Sequence, residues 1–271
     1  MIPIDLRQRL RAGEKIFGTL IVSPSPRWPD VVRGCGLDFV FIDTEHIALD
    51  RAELSWMCQA YAAVGLPPLV RIPSPDPYAA TMVLDGGAAG VIAPYVETAK
   101  QVQALRGAAK MRPIKGQKLE RMLEGDPVES ELQTYMVDGA KDRLLIVNIE
   151  STPAVEALDE ILAVPDLDGV LIGPHDLSCS LGLPERYDHP DFLATCETIF
   201  HKARAAGVGA GIHFWGEVSQ QAHFLQLGAN MLVHSADVTL FQKHLQLELD
   251  GIKQAVGLKA ATSEARPDVN I

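Results

Sequence analysis

Eight short, β-rich apolar runs punctuate this chain, and each is separated from the next by enough residues for a helix. They cover residues 17–22, 39–42, 68–72, 90–93, 144–149, 169–172, 208–212 and 231–233. Most are continuously apolar instead of alternating, which is the mark of parallel strands buried on both faces. The intervening segments are amphipathic. Residues 51–64 carry Leu54, Met57, Ala60 and Tyr61 on one helical face, and residues 192–206 carry Phe192, Cys196, Ile199 and Phe200. Eight β–α repeats close into a barrel or open into a doubly wound sheet. A doubly wound nucleotide binder needs a glycine-rich turn after its first strand. Here that strand runs into Ser23, Pro24, Ser25 and Pro26. The expectation is therefore a (β/α)8 TIM barrel.

The chain has 271 residues, and α/β barrels run to about 250, so one domain is expected over residues 1–258. The Ala/Ser/Glu/Pro-rich residues 259–271 read as a polar tail. Residues 112–126 read as an irregular connection, either a lid or a solvent-exposed loop. Apolar residues make up 47% and charged residues 22%, the balance of a soluble globular protein. The net charge of −11 and the lack of a Lys/Arg cluster argue against a nucleic-acid partner. No apolar run is long enough to cross a membrane. The charged first residues do not read as a secretion signal, and the four scattered cysteines form no CxxC pair. A cytoplasmic protein with reduced thiols is expected.

In a barrel of this kind the active site lies at the C-terminal ends of the strands. The polar residues that follow the apolar runs are therefore the candidates. They include Asp43, Glu45 and His46 after the second run, Arg71 in the third, and Asn148 and Glu150 at the fifth. Gly173, Pro174, His175 and Asp176 follow the sixth, His213 and Trp215 the seventh, and His234 and Ser235 the eighth. Glu150 and Asp176 are carboxylates on neighbouring strands, and they would repel unless a cation lay between them. Oxygen ligation suits Mg²⁺ or Mn²⁺ first, with Co²⁺ or Zn²⁺ as further candidates. The competing reading makes Asp176 a helix cap. Arg71 could bind a carboxylate substrate, or pair internally with Asp43 or Asp85. His46 could act as a general base oriented by Asp43 or Glu45, or be structural. An imine-forming aldolase needs a lysine at a strand end, and none is found there. A His-x-His pair after the first strand, expected of a histidine-rich hydrolase, is also absent.

The pattern resembles the metal-dependent class II pyruvate aldolases, a family that includes 4-hydroxy-2-oxoheptanedioate and 2-dehydro-3-deoxyglucarate aldolases. The resemblance spans residues 18–241 and rests on FIDTEH at 41–46, LVR at 69–71, LDGGA at 84–88 with Ala93 and Pro94, NIE at 148–150, and IGPHDLSCSLG at 172–182. It implies reversible cleavage of a 4-hydroxy-2-oxo acid to pyruvate, or a related 2-oxo acid, and an aldehyde. The alternative within the family is a carbon–carbon bond-forming synthase or decarboxylase that uses oxaloacetate-type donors. By resemblance, Glu150 and Asp176 hold the divalent metal and His46 is the base, oriented by Asp43. Arg71 binds the oxo acid and stabilises its enolate, and backbone amides around residues 174–176 hold its carboxylate. Asp85 matches an acidic residue near the subunit contact. The resemblance also implies a homo-oligomer, a hexamer with a helix exchanged between subunits. Three departures stand out. Asn148 replaces a frequent Gln, and Lys115 with Gly116 replaces a frequent Arg-Gly pair. His175, His213 and Trp215 stand where small or aliphatic residues are common. The substrate contacts expected are thus Arg71, Asn148, Gly173, Pro174, His175, Asp176, His213 and Trp215, with the last two particular to this chain.

Overall fold

The computed structural model describes residues 3–140 and 142–259. Eight parallel strands close into one barrel in chain order. They are β1 (Ile16–Ile21), β2 (Phe39–Asp43), β3 (Pro68–Arg71), β4 (Gly90–Ala93), β5 (Leu144–Ile149), β6 (Gly169–Ile172), β7 (Gly209–Phe214) and β8 (Met231–Ala236). At least one helix follows every strand, so the (β/α)8 expectation holds as a single domain. Residues 260–271 of the expected tail lie outside the described residues. Among the described residues, no helix is long and apolar enough to cross a membrane.

The continuously apolar runs divide by parity, because successive side chains on a strand point to opposite faces. One set, including Leu20, Phe39, Phe41, Leu69, Ile146 and Met231, is buried together inside the barrel. The other, including Val40, Ile42, Val70, Val91, Val147 and Ile212, packs under the helices. The N-terminal helix Pro3–Ala12 plugs the lower end with Leu6 and Leu10. Leu10 comes so close that a Cβ on Gly209 would lie 2.3 Å from its Cγ, so only glycine fits there. The same end is tied by fully buried Asp168. This carboxylate accepts hydrogen bonds from Arg7 Nε at 2.6 Å, Lys110 Nζ at 2.6 Å and the Leu145 amide at 3.0 Å.

Two expectations are corrected. The last two strands run past the apolar segments that mark them, because ladder pairing continues through His213↔Val233 and Phe214↔His234. His213 and His234 therefore lie within strands and not beyond them. Residues 112–126 are also not irregular throughout, since a helix spans Gly116–Leu123. It is held by a short apolar stripe, Leu119 and Leu123, whose methyls would stand 3.2 and 3.3 Å from a Cβ on Gly107. A second helix follows at Ser130–Ala140.

Candidate active site

The inward parity that fills the barrel also builds the site. Two residues beyond inward Phe41 stands Asp43, and two beyond Leu69 stands Arg71. Asn148 likewise follows Ile146, Gly173 follows Leu171, and Ser235 follows Val233. The core thus gives way to a polar layer at the C-terminal end. A cavity there is lined by Phe41, His46, Arg71, Asn148, Leu171, Ile172, Gly173, Pro174, His175, Asp176, His213 and Trp215. It gathers every strand-end residue singled out from the sequence except Asp43, Glu45, Glu150, His234 and Ser235. Asp43 lies behind Arg71, and Glu150 is buried beside Asn148. His234 has outward parity in β8, and its Nδ1 lies 2.8 Å from Gln221 Oε1 of the helix Val218–Gln226. It belongs to the helix layer.

Arg71 and Asp43 are register partners on adjacent strands. Arg71 donates from Nε and NH2 to the two Asp43 oxygens at 2.7 and 2.8 Å. Burial opposes ionisation of Asp43, but the Arg71 hydrogen bonds and charge hold its carboxyl below the usual range. Asp43 also accepts from the backbone amides of Glu45 at 3.0 Å and His46 at 3.2 Å. The expected orientation of the His46 ring by Asp43 is not what the geometry shows. Asp43 spends its lone pairs on Arg71 and on backbone, and the carboxylate near the ring is Glu45, with Oε1 3.6 Å from His46 Nε2. Asp85 pairs with Arg112 and not with Arg71.

Glu150 follows β5 directly. Its oxygens accept from the Tyr95 amide at 2.6 Å and Asn148 Nδ2 at 2.9 Å. Burial pushes its pKa up, the two hydrogen bonds oppose this, and the charges of Asp176 and Glu45 add to the rise. Asp176 sits in the first turn of the helix Pro174–Ser180, whose N-cap is Gly173, so it is not the cap. A Cβ on Gly173 would lie 2.8 Å from Glu150 Oε2 and 3.6 Å from Asp176 Oδ2. The glycine therefore keeps open a space flanked by both carboxylates. Among the described residues, no group of three or more His, Cys, Asp or Glu could hold a metal. Two carboxylates with substrate oxygens and water are nevertheless a sufficient set for Mg²⁺ or Mn²⁺.

Sequence reasoning passed over Tyr95. It follows β4 with φ of 54°, which is uncommon for a residue with a side chain. Its hydroxyl is pushed up to about 12, first by a hydrogen bond with Glu45, then by burial and by the charges of Glu45, Glu150 and Asp176. The strand-end rule applied to β4 would have found it, one residue past Pro94.

His213 is 5% exposed, and its ring meets Phe41 edge-on at 5.3 Å and Trp215 at 5.4 Å. Its pKa falls from 6.5 to about 4, because burial and the Arg71 charge disfavour the imidazolium while the Ser235 carbonyl opposes them. Between those values the unfolded chain binds a proton that the folded chain refuses. Stability from this site is thus complete above pH 6.5 and is lost as pH falls toward 4. From pH 7 to pH 5 the loss should be about 2 kcal/mol. Urea melts at both pH values should show His213→Phe losing less stability than the wild type by that margin. Equal losses would rule the effect out.

A model of the HpcH/HpaI aldolase/citrate lyase family matches residues 20–243. A 2-keto-3-deoxy-L-rhamnonate aldolase from Escherichia coli (strain K12) is 32% identical over 244 residues, covering 90% of this chain and 91% of that protein. Among solved structures, an HpcH/HpaI aldolase from Desulfitobacterium hafniense DCB-2 is 28% identical with a TM-score of 0.79, covering 92% of this chain and 96% of that one. A citrate synthase is similar at 27% identity and a TM-score of 0.79, covering 93% of this chain and 98% of that one.

Proposed function

The chain belongs to the HpcH/HpaI aldolase/citrate lyase family, and on that premise we propose that it is a metal-dependent aldolase that reversibly cleaves 4-hydroxy-2-oxo acids to pyruvate, or a related 2-oxo acid, and an aldehyde. The observation that carries this reading is the pair of carboxylates flanking Gly173, in contact with a cavity that also holds Arg71 and His46. Glu150 and Asp176 would hold the divalent ion, Mg²⁺ or Mn²⁺, which supplies Lewis-acid polarisation of the 2-oxo group.

The chain's own residues account for the rest. Arg71 is fixed from behind by Asp43 and presents its remaining N–H groups to the oxo acid, where they stabilise the enolate charge. The first-turn amides of His175 and Asp176 have no intrahelical acceptor and suit the substrate carboxylate. In cleavage, His46 takes the proton of the 4-hydroxyl. The C3–C4 bond breaks, its electrons pass into the enolate, and the aldehyde leaves. Protonation at C3 then gives the 2-oxo acid. In synthesis the same groups work in reverse. Glu45, 3.6 Å from the His46 ring, supports the imidazolium that forms. No imine is needed. Lys110, a buried lysine, is tied to Asp168 at the opposite end of the barrel.

Pyruvate release from a 4-hydroxy-2-oxo acid should vanish on EDTA treatment and return with Mg²⁺ or Mn²⁺. His46→Ala should lower the rate by about 10²–10⁴-fold. Chelator-insensitive turnover, or borohydride trapping of an imine, would overturn the mechanism. The citrate synthase neighbour favours one second reading, a synthase or decarboxylase with an oxaloacetate-type donor. Oxaloacetate consumption that outpaces retro-aldol turnover would select it. A cytoplasmic hexamer fits the same reading. The helix Asp237–Ala255 leaves Phe241, Leu247 and Ile252 exposed, which supports exchange of that helix between subunits.

A further inference from the structure

We propose that His213 selects the aldehyde, with its Nδ1 accepting a hydrogen bond from a hydroxyl on the acceptor, so that hydroxyaldehydes are preferred to alkyl aldehydes of the same size. This rests on the aldolase reading above and names the chemistry of its acceptor half.

The argument begins with the tautomer. His213 Nε2 lies 3.2 Å from the backbone oxygen of Ser235. A carbonyl can only accept, so Nε2 carries the proton. The ring is neutral at physiological pH because it is buried beside the Arg71 charge. A neutral ring protonated at Nε2 has a bare lone pair at Nδ1, and Nδ1 has no hydrogen-bond partner among the described residues. The backbone enforces this state. Ser235 holds φ at 51°, an uncommon conformation for a residue with a side chain. Such an outlier persists where the surrounding structure overdetermines it. Here it accompanies the carbonyl that fixes the imidazole.

The surroundings then decide what Nδ1 can do. Edge contacts with Phe41 and Trp215 hold the ring in place, and all three line the cavity. Of the polar groups used on the oxo acid, Asn148 and the turn at Gly173 lie against the carboxylates, and Arg71, bound from behind by Asp43, stands between them and the aromatic rings. On the aromatic side the Arg71 guanidinium, stacked 5.4 Å from the Phe41 ring centre, and the Trp215 indole N–H can only donate, so of Phe41, His213 and Trp215 the imidazole alone offers an acceptor. A substrate hydroxyl there gains an acceptor that is already oriented. An alkyl group in its place leaves Nδ1 buried without a donor.

Glycolaldehyde and propionaldehyde differ by a hydroxyl in place of a methyl and serve as the probes. With pyruvate and Mn²⁺, wild type should favour glycolaldehyde in kcat/KM. In His213→Phe, which keeps an aromatic ring but no lone pair, the ratio should fall about tenfold. His213→Asn can place an amide oxygen where Nδ1 stands and should recover part of the ratio. Exchange of the pyruvate methyl protons in D2O reads the oxo-acid half without any aldehyde. Absence of exchange in the wild type overturns the aldolase reading, and this proposal with it. Exchange without a glycolaldehyde preference in the wild type, or with a ratio unchanged in His213→Phe, overturns this proposal alone.

Discussion

Asp43→Ala is expected to lose about 3–5 kcal/mol of stability together with nearly all turnover. The pair it breaks is among the most enclosed in the molecule. Asp43 is fully buried and Arg71 is 7% exposed. Removing the carboxylate strands a guanidinium that cannot shed its proton. The same change frees the amides of Glu45 and His46, which Asp43 caps where the chain leaves β2. Glu45 limits the damage, since its Oε2 stands 3.1 Å from Arg71 Nε and can take over part of the charge. That capture would draw Arg71 off its aim and Glu45 away from His46, so activity should fall further than stability. Urea midpoints and retro-aldol kcat/KM measured on the same preparations test both halves. A wild-type midpoint for Asp43→Ala would refute the structural account. Wild-type kcat/KM in a destabilised variant would show that the pair holds the fold and not the chemistry.

The barrel was legible because its strands must be apolar on both faces, and continuous apolar runs are rare outside buried parallel sheets. What escaped was polar sequence inside regular structure. His213 and His234 end the apolar runs on paper, yet both stay in the ladder. The inward one becomes part of the cavity, and the outward one bonds a helix. Parity separates them, and parity counts only once the barrel is known. The helix Gly116–Leu123 escaped because it is only two turns long, opens on a glycine and is mostly polar, although Leu119, Met122 and Leu123 do stand at helical spacing. At the site, strand-end mapping found the cavity wall. For Arg71 the two readings, internal ion pair and substrate group, prove compatible, since the Asp43 pair occupies one edge of a guanidinium that also lines the cavity. The position of Tyr95, just past β4, was open to the same strand-end rule, but its contribution, a backbone amide to Glu150 and a hydroxyl to Glu45, is not encoded by residue type at a spacing.

Glu150→Gln should separate function from stability most sharply. Folding raises the pKa of this carboxyl, chiefly through burial. Its ionised form is therefore disfavoured in the folded protein, and the penalty grows as pH rises from the ordinary value through the folded one. At neutral pH and without metal, the neutral amide should melt above wild type. Gln keeps the shape and can still accept from the Tyr95 amide, and its NH2 can donate to Asn148 Oδ1, which has no partner of its own, once the Asn148 amide turns over, so neither a cavity nor a facing pair of donors offsets that gain. Turnover should fall at least about a thousandfold, because one of the two carboxylates proposed to hold the ion is gone. Ligand linkage gives a readout that does not depend on turnover. A cation present at a hundred times its Kd should stabilise wild type by about 2.7 kcal/mol, and the variant much less. Mn²⁺ titrations followed by thermal melting would show a rising wild-type Tm and a nearly flat one for Glu150→Gln. Parallel rises in the two proteins would move the ion away from Glu150. A variant that melts below metal-free wild type would mean that the buried carboxylate is better satisfied than its contacts with Asn148 and Tyr95 imply. Strain of this kind is expected if the two carboxylates that flank Gly173 are kept there for a ligand that the polypeptide itself does not supply.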